Sequence, residues 1–131
     1  MINVGLVQPN FRSGPRHLNA YYLPYTLGTL WSYARTSPVI RQHCADHVWI
    51  FRRDNIDQAA AKLSECQVVL FSIYVWNKNY CYALAKQLKA ISPNTLCVFG
   101  GPELPHTDSD LFLKHPYIDS IVVGEGEHAV S

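Results

Sequence analysis

Val68-Val69-Leu70-Phe71-Ser72-Ile73-Tyr74 is an apolar run that first meets polarity at Ser72. Its short length and its β-branched and aromatic side chains predict a strand buried on both faces, the mark of a parallel sheet. Beyond Val75-Trp76-Asn77 the period changes, and Tyr80, Leu84, Leu88 and Ile91 fall on one helical stripe. Thr95 to Phe99 reads as the next strand, and Gly100-Gly101-Pro102 ends it. Strand, helix and strand make one βαβ unit. Ligands of open α/β sheets lie outside the carboxyl ends of the strands, so both ends of this unit are candidate site positions.

The same alternation extends outward in both directions. Ile2 to Gln8 is a first strand, ended by Pro9-Asn10. A polar stretch from Asn10 to about Tyr22 follows, longer than the usual connection of about two to six residues; loops of this length are commonly functional. Leu23-Pro24 opens a first helix with proline in the first turn. Leu27, Leu30, Trp31 and Ala34 form its stripe, and Ser37-Pro38 is expected to stop it. Gly28 inside that helix suggests close approach of a strand or a ligand. His47 to Phe51 is a second strand, and Asn55 caps a helix over 56–64 with Ile56, Ala59, Ala60 and Leu63 inward. After the central unit, Thr107 or Asp108 caps a short helix carrying Leu111, Phe112 and Leu113. Residues 119–123 form a fifth strand, and another helix is expected from about Gly126. Five strands alternating with helices, joined by right-handed crossovers, predict a Rossmann-like, flavodoxin-like doubly wound α/β fold with a parallel sheet in the order 2-1-3-4-5. The topological switch then falls between the first and third strands, whose ends carry Gln8 to Asn10 and Ser72 to Asn77.

Composition narrows the class. The chain has 131 residues, enough for one domain with a sizeable core. Apolar residues make up 48% and charged residues 16%, a globular balance. A net charge of +1 with no basic block leaves no electrostatic footprint for nucleic acid. No apolar run approaches the roughly 18 residues of a membrane span, and no charged region precedes the N-terminal apolar stretch. A cytoplasmic protein, neither secreted nor membrane-bound, is expected. Cys44, Cys66, Cys81 and Cys97 lack metal-ligand spacing and read as free thiols. His43 and His47 bracket a thiol at i, i+4 spacing, but the segment leads into a strand and lacks the glutamate of a zinc helix, so surface histidines are the simpler reading.

At the expected crevice, Ser72 offers a hydroxyl, Trp76 a flat apolar face, and Asn77 a cap for the following helix. Gly100 and Gly101 leave backbone bare, so a bulky group can pass close by. Gly124 and Gly126 repeat that arrangement with Glu125 and Glu127 beside them, where a turn and a helix start are favoured over paired catalytic carboxylates. Aromatic surface above glycine floors suits a large, rigid, mostly apolar cofactor. A dinucleotide is disfavoured, because no G-x-G-x-x-G follows the first strand. A flavin mononucleotide would want a Ser/Thr/Gly loop there, of which Ser13-Gly14 is a thin version. Gln8-Pro9-Asn10 also lacks the acidic cluster of a response regulator.

Ser72-x-Tyr74 with Gly100-Gly101 twenty-eight positions after the serine resembles the S-x-L…GG half of a cobalamin-binding signature. Tyr22-Leu23-Pro24-Tyr25-Thr26-Leu27-Gly28, Ser72 to Asn77, Gly100-Gly101-Pro102-Glu103, and Ile118-Asp119 followed by Gly124 to Glu127 resemble the N-terminal domain of cobalamin-dependent radical S-adenosylmethionine enzymes of the methyltransferase type. The resemblance runs over essentially the whole chain. It implies that Ser72 and the glycines surround the cofactor's nucleotide tail. Tyr74, Val75, Trp76 and Asn77 would lie around the cofactor, as would Pro102 and Glu103, and Gly124, Glu125 and Gly126. Asn10 and Arg12 would approach it from the long loop, where Arg16 is a further candidate for the corrin edge.

Two departures from the wider cobalamin pattern are informative. D-x-H-x-x-G, whose histidine ligates cobalt, is absent, so the resemblance implies cobalamin, as methylcobalamin or hydroxocobalamin, bound base-off without a protein ligand. Trp76 is then the candidate for covering the lower cobalt face. The C-x-x-x-C-x-x-C loop for a [4Fe-4S] cluster is also missing. The chain is therefore expected to be a cobalamin-binding domain over residues 1–131, cut from a longer enzyme whose C-terminal radical SAM domain would hold the cluster and S-adenosylmethionine. On its own it should bind and not catalyse. Two rival readings remain at this point: a flavodoxin-like flavin or nucleotide carrier, and an interaction domain with an empty crevice.

Overall fold

The computed structural model describes residues 1–9, 12–13, 20–21, 25–52, 55–102 and 111–122. Strands β1 (Ile2–Val7), β4 (Cys44–Ile50), β5 (Val68–Ser72), β6 (Leu96–Gly100) and β7 (Ser120–Ile121) form one sheet in the order β4-β1-β5-β6-β7. Every pairing in it is parallel. In strand sequence this is 2-1-3-4-5, the expected doubly wound order. The first strand lies inside the sheet, second from one edge, because the chain crosses to one side of it and then to the other.

Helices cover both faces. α3 (Ile56–Leu63), α4 (Lys78–Ile91) and α5 (Leu111–Lys114) lie on one side, where Ala59, Ala60, Leu63, Leu84, Leu88 and Leu111 pack on Val7, Val69, Phe71, Cys97 and Phe99. The Phe71 and Phe99 rings stack at 4.5 Å across β5 and β6. Gly5 permits this close packing, since a Cβ there would come within 2.6 Å of Leu63 Cδ2. α1 (Tyr25–Ala34) and α2 (Pro38–His43) lie on the other side, with Leu27, Trp31 and Ala34 against Val4, Leu6 and Leu70. Asn55 caps α3 as expected, its Oδ1 accepting from the backbone of Asp57 at 3.0 Å and Gln58 at 3.2 Å.

Several sequence expectations are corrected. Ser37-Pro38 ends α1 but also opens α2, with proline in the first turn, where its missing N–H is not needed. The second strand consequently begins at Cys44, not His47. His43 closes α2 while His47 lies in the strand at 2.7 Å from Glu65, so the pair does not share a helix face. The expected long loop contains a two-stranded antiparallel hairpin, β2 (Arg12–Ser13) with β3 (Ala20–Tyr21). On α4 the buried stripe is Cys81, Leu84, Ala85 and Leu88, whereas Ile91 is 47% exposed. A Cβ on Gly28 would meet nothing within 4 Å among the described residues, so no described strand approaches there. The fifth strand is shorter than expected, although Val122 N still donates to Phe99 O. The expected cap at Thr107 or Asp108 and the helix from Gly126 lie outside the described residues.

The four cysteines are free thiols, and Cys66, Cys81 and Cys97 are buried. Burial pushes the Cys66 thiol up to about 11, with Glu65 adding to the rise. Burial also pushes Cys97 up to about 12; Asp119 adds to the rise and Lys89 opposes it. The unfolded chain ionises these thiols near their ordinary value of 9.0, before the folded chain does. Their contribution is thus complete at neutral pH and falls as pH rises toward the folded values, by about 1.4 kcal/mol per pH unit for each thiol. Urea denaturation should therefore show a lower midpoint at pH 10.5 than at pH 8, and Cys97→Ala should flatten that decline. A midpoint that does not move would contradict the burial of these thiols.

Candidate functional site

β1 and β5 lie side by side, paired from Val4↔Val68 to Val7↔Phe71. The helices that follow them lie on opposite faces of the sheet, which opens a crevice at their carboxyl ends. Gln8 is 4% exposed and fastens one wall. Its N–H donates to Ile50 O at 2.9 Å, continuing the pairing of β1 with β4. Its Oε1 accepts from Leu27 N at 3.0 Å, one of the first-turn donors that α1 cannot satisfy internally.

The other wall is the turn from Tyr74 to Asn77. Tyr74 O accepts from Asn77 N at 3.2 Å and from Lys78 N at 3.0 Å. Asn77 is 1% exposed, and its side chain does not cap α4. Its Oδ1 accepts from Tyr74 N at 2.8 Å, and its Nδ2 donates to Pro9 O at 3.0 Å and Ser72 O at 3.2 Å. Within this turn the Tyr74 and Trp76 rings stack at 4.6 Å with 8° between their planes, and Val75 is 65% exposed. The result is a flat aromatic platform, half-buried, at the end of β5.

The two glycines of the third wall differ in kind. Gly101 has φ +113, and a Cβ there would overlap Ile73 O and lie 2.7 Å from Ile73 N. The fold itself requires glycine at this position, because Ile73 N donates to Gly100 O at 2.8 Å and brings the two backbones together. Gly100 carries no such constraint. A Cβ there would make ordinary contacts with Val122 at 3.6 and 3.9 Å.

A strip of sheet runs down from this rim. The register pairs Ser72 with Gly100, Leu70 with Val98 and Val68 with Leu96. Alternation along the strands puts these six residues on the face that carries α1. The core under α1 and α2 on that face takes in Val4, Leu6 and Leu70, with Val68 and Val98 partly buried against it, and Leu96 is 50% exposed. Among the described residues this is an apolar strip beside α1, without a charged side chain, that ends in Ser72 and Gly100. Charge collects elsewhere: Lys89 and Asp119 pair at 2.6 Å beside the amino ends of β6 and β7.

The structure therefore brings together Ser72, Tyr74, Val75, Trp76, Asn77, Gly100, Gly101 and Pro102 around the carboxyl ends of β5 and β6. Arg12 belongs to the hairpin strand β2, paired with Tyr21. Asn10, Glu103, Gly124, Glu125 and Gly126 lie outside the described residues. Alternation against Ser72 and Gly100 also places Val68, Leu70, Leu96 and Val98 on this face, a signal that the sequence expectations leave unused.

The family profile of the B12 binding domain matches residues 39–131. The chain is 36% identical over 126 residues to the 2-(S-pantetheinyl)-carbapenam-3-carboxylate methyltransferase of Streptantibioticus cattleyicolor, a match that covers 92% of the chain and 18% of that protein. It is 36% identical over 113 residues to the cobalamin-dependent radical SAM methyltransferase TokK of Streptomyces tokunonensis, covering 86% of the chain and 17% of the relative. The chain thus spans less than a fifth of the length of these curated relatives. Among solved structures it is similar to the CheY-like protein TadZ of Pseudomonas aeruginosa PAO1, with a TM-score of 0.58, 16% identity and coverage of 99% of this chain and 91% of that one. The pilus assembly protein CpaE of Caulobacter crescentus CB15 gives a TM-score of 0.56 at 14% identity, covering 99% and 94%. These two likenesses concern the fold.

Gly101→Ala should destabilise the chain by about 2–3 kcal/mol through its backbone conformation and overlap. Gly100→Ala should stay within about 0.5 kcal/mol of the parent. Chemical denaturation of the two variants separates a glycine the fold needs from one it does not.

Proposed function

The chain belongs to the B12-binding domain family, and from that premise we propose that it holds cobalamin base-off, with no protein histidine on the cobalt, as the cofactor domain of a longer methyltransferase. The observation that carries the reading is the uncharged apolar strip of β5 and β6 that ends in Ser72 and Gly100, next to the topological switch point between β1 and β5. A large cofactor whose nucleotide tail carries an apolar aromatic base can lay that base on the strip, with its ribose and phosphate left to the rim at Ser72 and the bare glycine backbone. Ser72, Gly100 and Gly101 are the residues proposed for the nucleotide tail, with Val68, Leu70, Leu96 and Val98 below them. Tyr74, Val75, Trp76 and Pro102 are proposed for the corrin side, and Asn10, Arg12, Glu103, Gly124, Glu125 and Gly126 for the segments that complete the rim.

Trp76 is the proposed cover of the lower cobalt face. Its indole is already stacked on Tyr74, so its role there is to exclude water and to offer no ligating atom. Bound cobalamin supplies a carrier for a methyl group between S-adenosylmethionine and an unactivated carbon. This chain's residues bind and orient it and keep the lower face dry. The rest of the parent enzyme is proposed to be a C-terminal radical SAM domain with a [4Fe-4S] cluster, in a cytoplasmic setting that suits the free thiols. No described helix is long and apolar enough to cross a membrane.

Anaerobic titration of the chain with hydroxocobalamin and methylcobalamin, followed by absorbance, tests this reading. A saturable shift to the base-off spectrum is expected. Gly100→Val, which leaves the backbone unstrained, should weaken it, and Trp76→Ala should alter the spectrum by admitting water to the cobalt. No shift with either cobalamin, for this chain and for the longer parent alike, would overturn the assignment.

A further inference from the structure

The pairing of β1 with β5 ends at Val7↔Phe71, yet the crevice lies beyond that point. Past it, one buried side chain bridges the two strand ends. The Asn77 amide binds Pro9 O from the β1 side, and Ser72 O and Tyr74 N from the β5 side, across 68 residues of sequence. We infer that Asn77 is a positioning residue, a latch that joins the ends of β1 and β5 and presents Trp76 to the crevice without itself touching the ligand. The inference deepens the cobalamin reading and rests on it only for the identity of what Trp76 faces.

The chemistry of the position explains the residue. One group must donate twice, to two carbonyl oxygens, and accept once, from a backbone N–H, within a few ångströms. A side-chain amide does this and a carboxylate does not, since an ionised carboxylate has no donor. Gln carries an extra methylene and would overrun the turn. With the three bonds made, the turn is closed at both ends: Asn77 N and Lys78 N on Tyr74 O, and Tyr74 N on Asn77 Oδ1. Val75 and Trp76 are the two residues between those ties. The amide has no hydrogen-bonding work left to offer a cofactor in the crevice beyond its remaining lone pairs.

The test reads the protein before any ligand is added. In the parent chain the Asn77 side-chain amide protons and the Tyr74 N–H should exchange slowly with solvent, and exchange as fast as that of an exposed amide would overturn the inference. In Asn77→Asp the carboxylate faces two carbonyl oxygens at neutral pH, and the Trp76 indole resonance, assigned by its loss in Trp76→Phe, should shift. It should return toward the parent position as acidification protonates the side chain and restores one donor. Asn77→Leu should show the displaced resonance at every pH. Cobalamin affinity should fall by about tenfold or more in both variants at neutral pH and recover with acid only in Asn77→Asp. An Asn77→Leu chain with the parent's Trp76 resonance and affinity would overturn the latch. If Asn77→Leu does not fold, the pH series on Asn77→Asp and proton exchange in the parent still decide it. Should the parent chain take up no cobalamin while both protein-only readouts behave as described, the latch stands and the ligand assignment fails.

Discussion

β1 is a strand with a neighbour on each side, and the architecture follows from that. Parallel pairing needs a crossover for every added strand, and right-handed crossovers put successive strands on one side until the direction reverses. Here the reversal falls at β1, with β4 on one flank and β5 on the other. The helices leaving β1 and β5 are therefore sent to opposite faces, and no backbone ladder can close the gap between the two strand ends. Side chains must do it. Gln8 and Asn77 are two buried amides that satisfy backbone groups which would otherwise be stranded there.

That division explains which parts of the sequence were readable. Strand content and order follow from local signals: the apolar runs at Val68 to Ile73 and Leu96 to Phe99, the helical stripe of α3, and the cap at Asn55. Signals with two meanings misled. Pro38 stops a helix and starts one with equal ease, so local signals show neither α2 nor the early start of β4. On α4 the spacing places Leu84 and Leu88 correctly and Tyr80 packs partly on the core, but Ile91 fits the same spacing and is exposed, while Cys81 and Ala85 complete the buried face. Asn77 was read by its local preference for capping. Its actual partners include Pro9, and no local rule reaches a carbonyl 68 residues away.

The glycine pair makes the same point about the site. From sequence, Gly100 and Gly101 look alike, both leaving backbone bare for a ligand. In the fold, Gly101 is held by Ile73 and a positive φ, whereas Gly100 is free to carry a side chain as far as the described residues are concerned. A bare residue that the fold does not require is the more informative of the two about what passes by.

The crevice and the apolar strip below it differ in kind, and that difference has an energetic use. At the mouth, the Tyr74–Asn77 turn is held by five hydrogen bonds and carries a stacked aromatic pair, so little conformational freedom is left to lose when a ligand arrives. Along the sheet, Val98 and Leu96 leave apolar surface partly in water, which costs the free domain stability and returns it when the surface is covered, at about 25 cal/mol per Å². Orientation would then come from the rigid rim and much of the affinity from the apolar strip. A ligand with a rigid planar head and a long tail uses both; a compact one uses only the mouth.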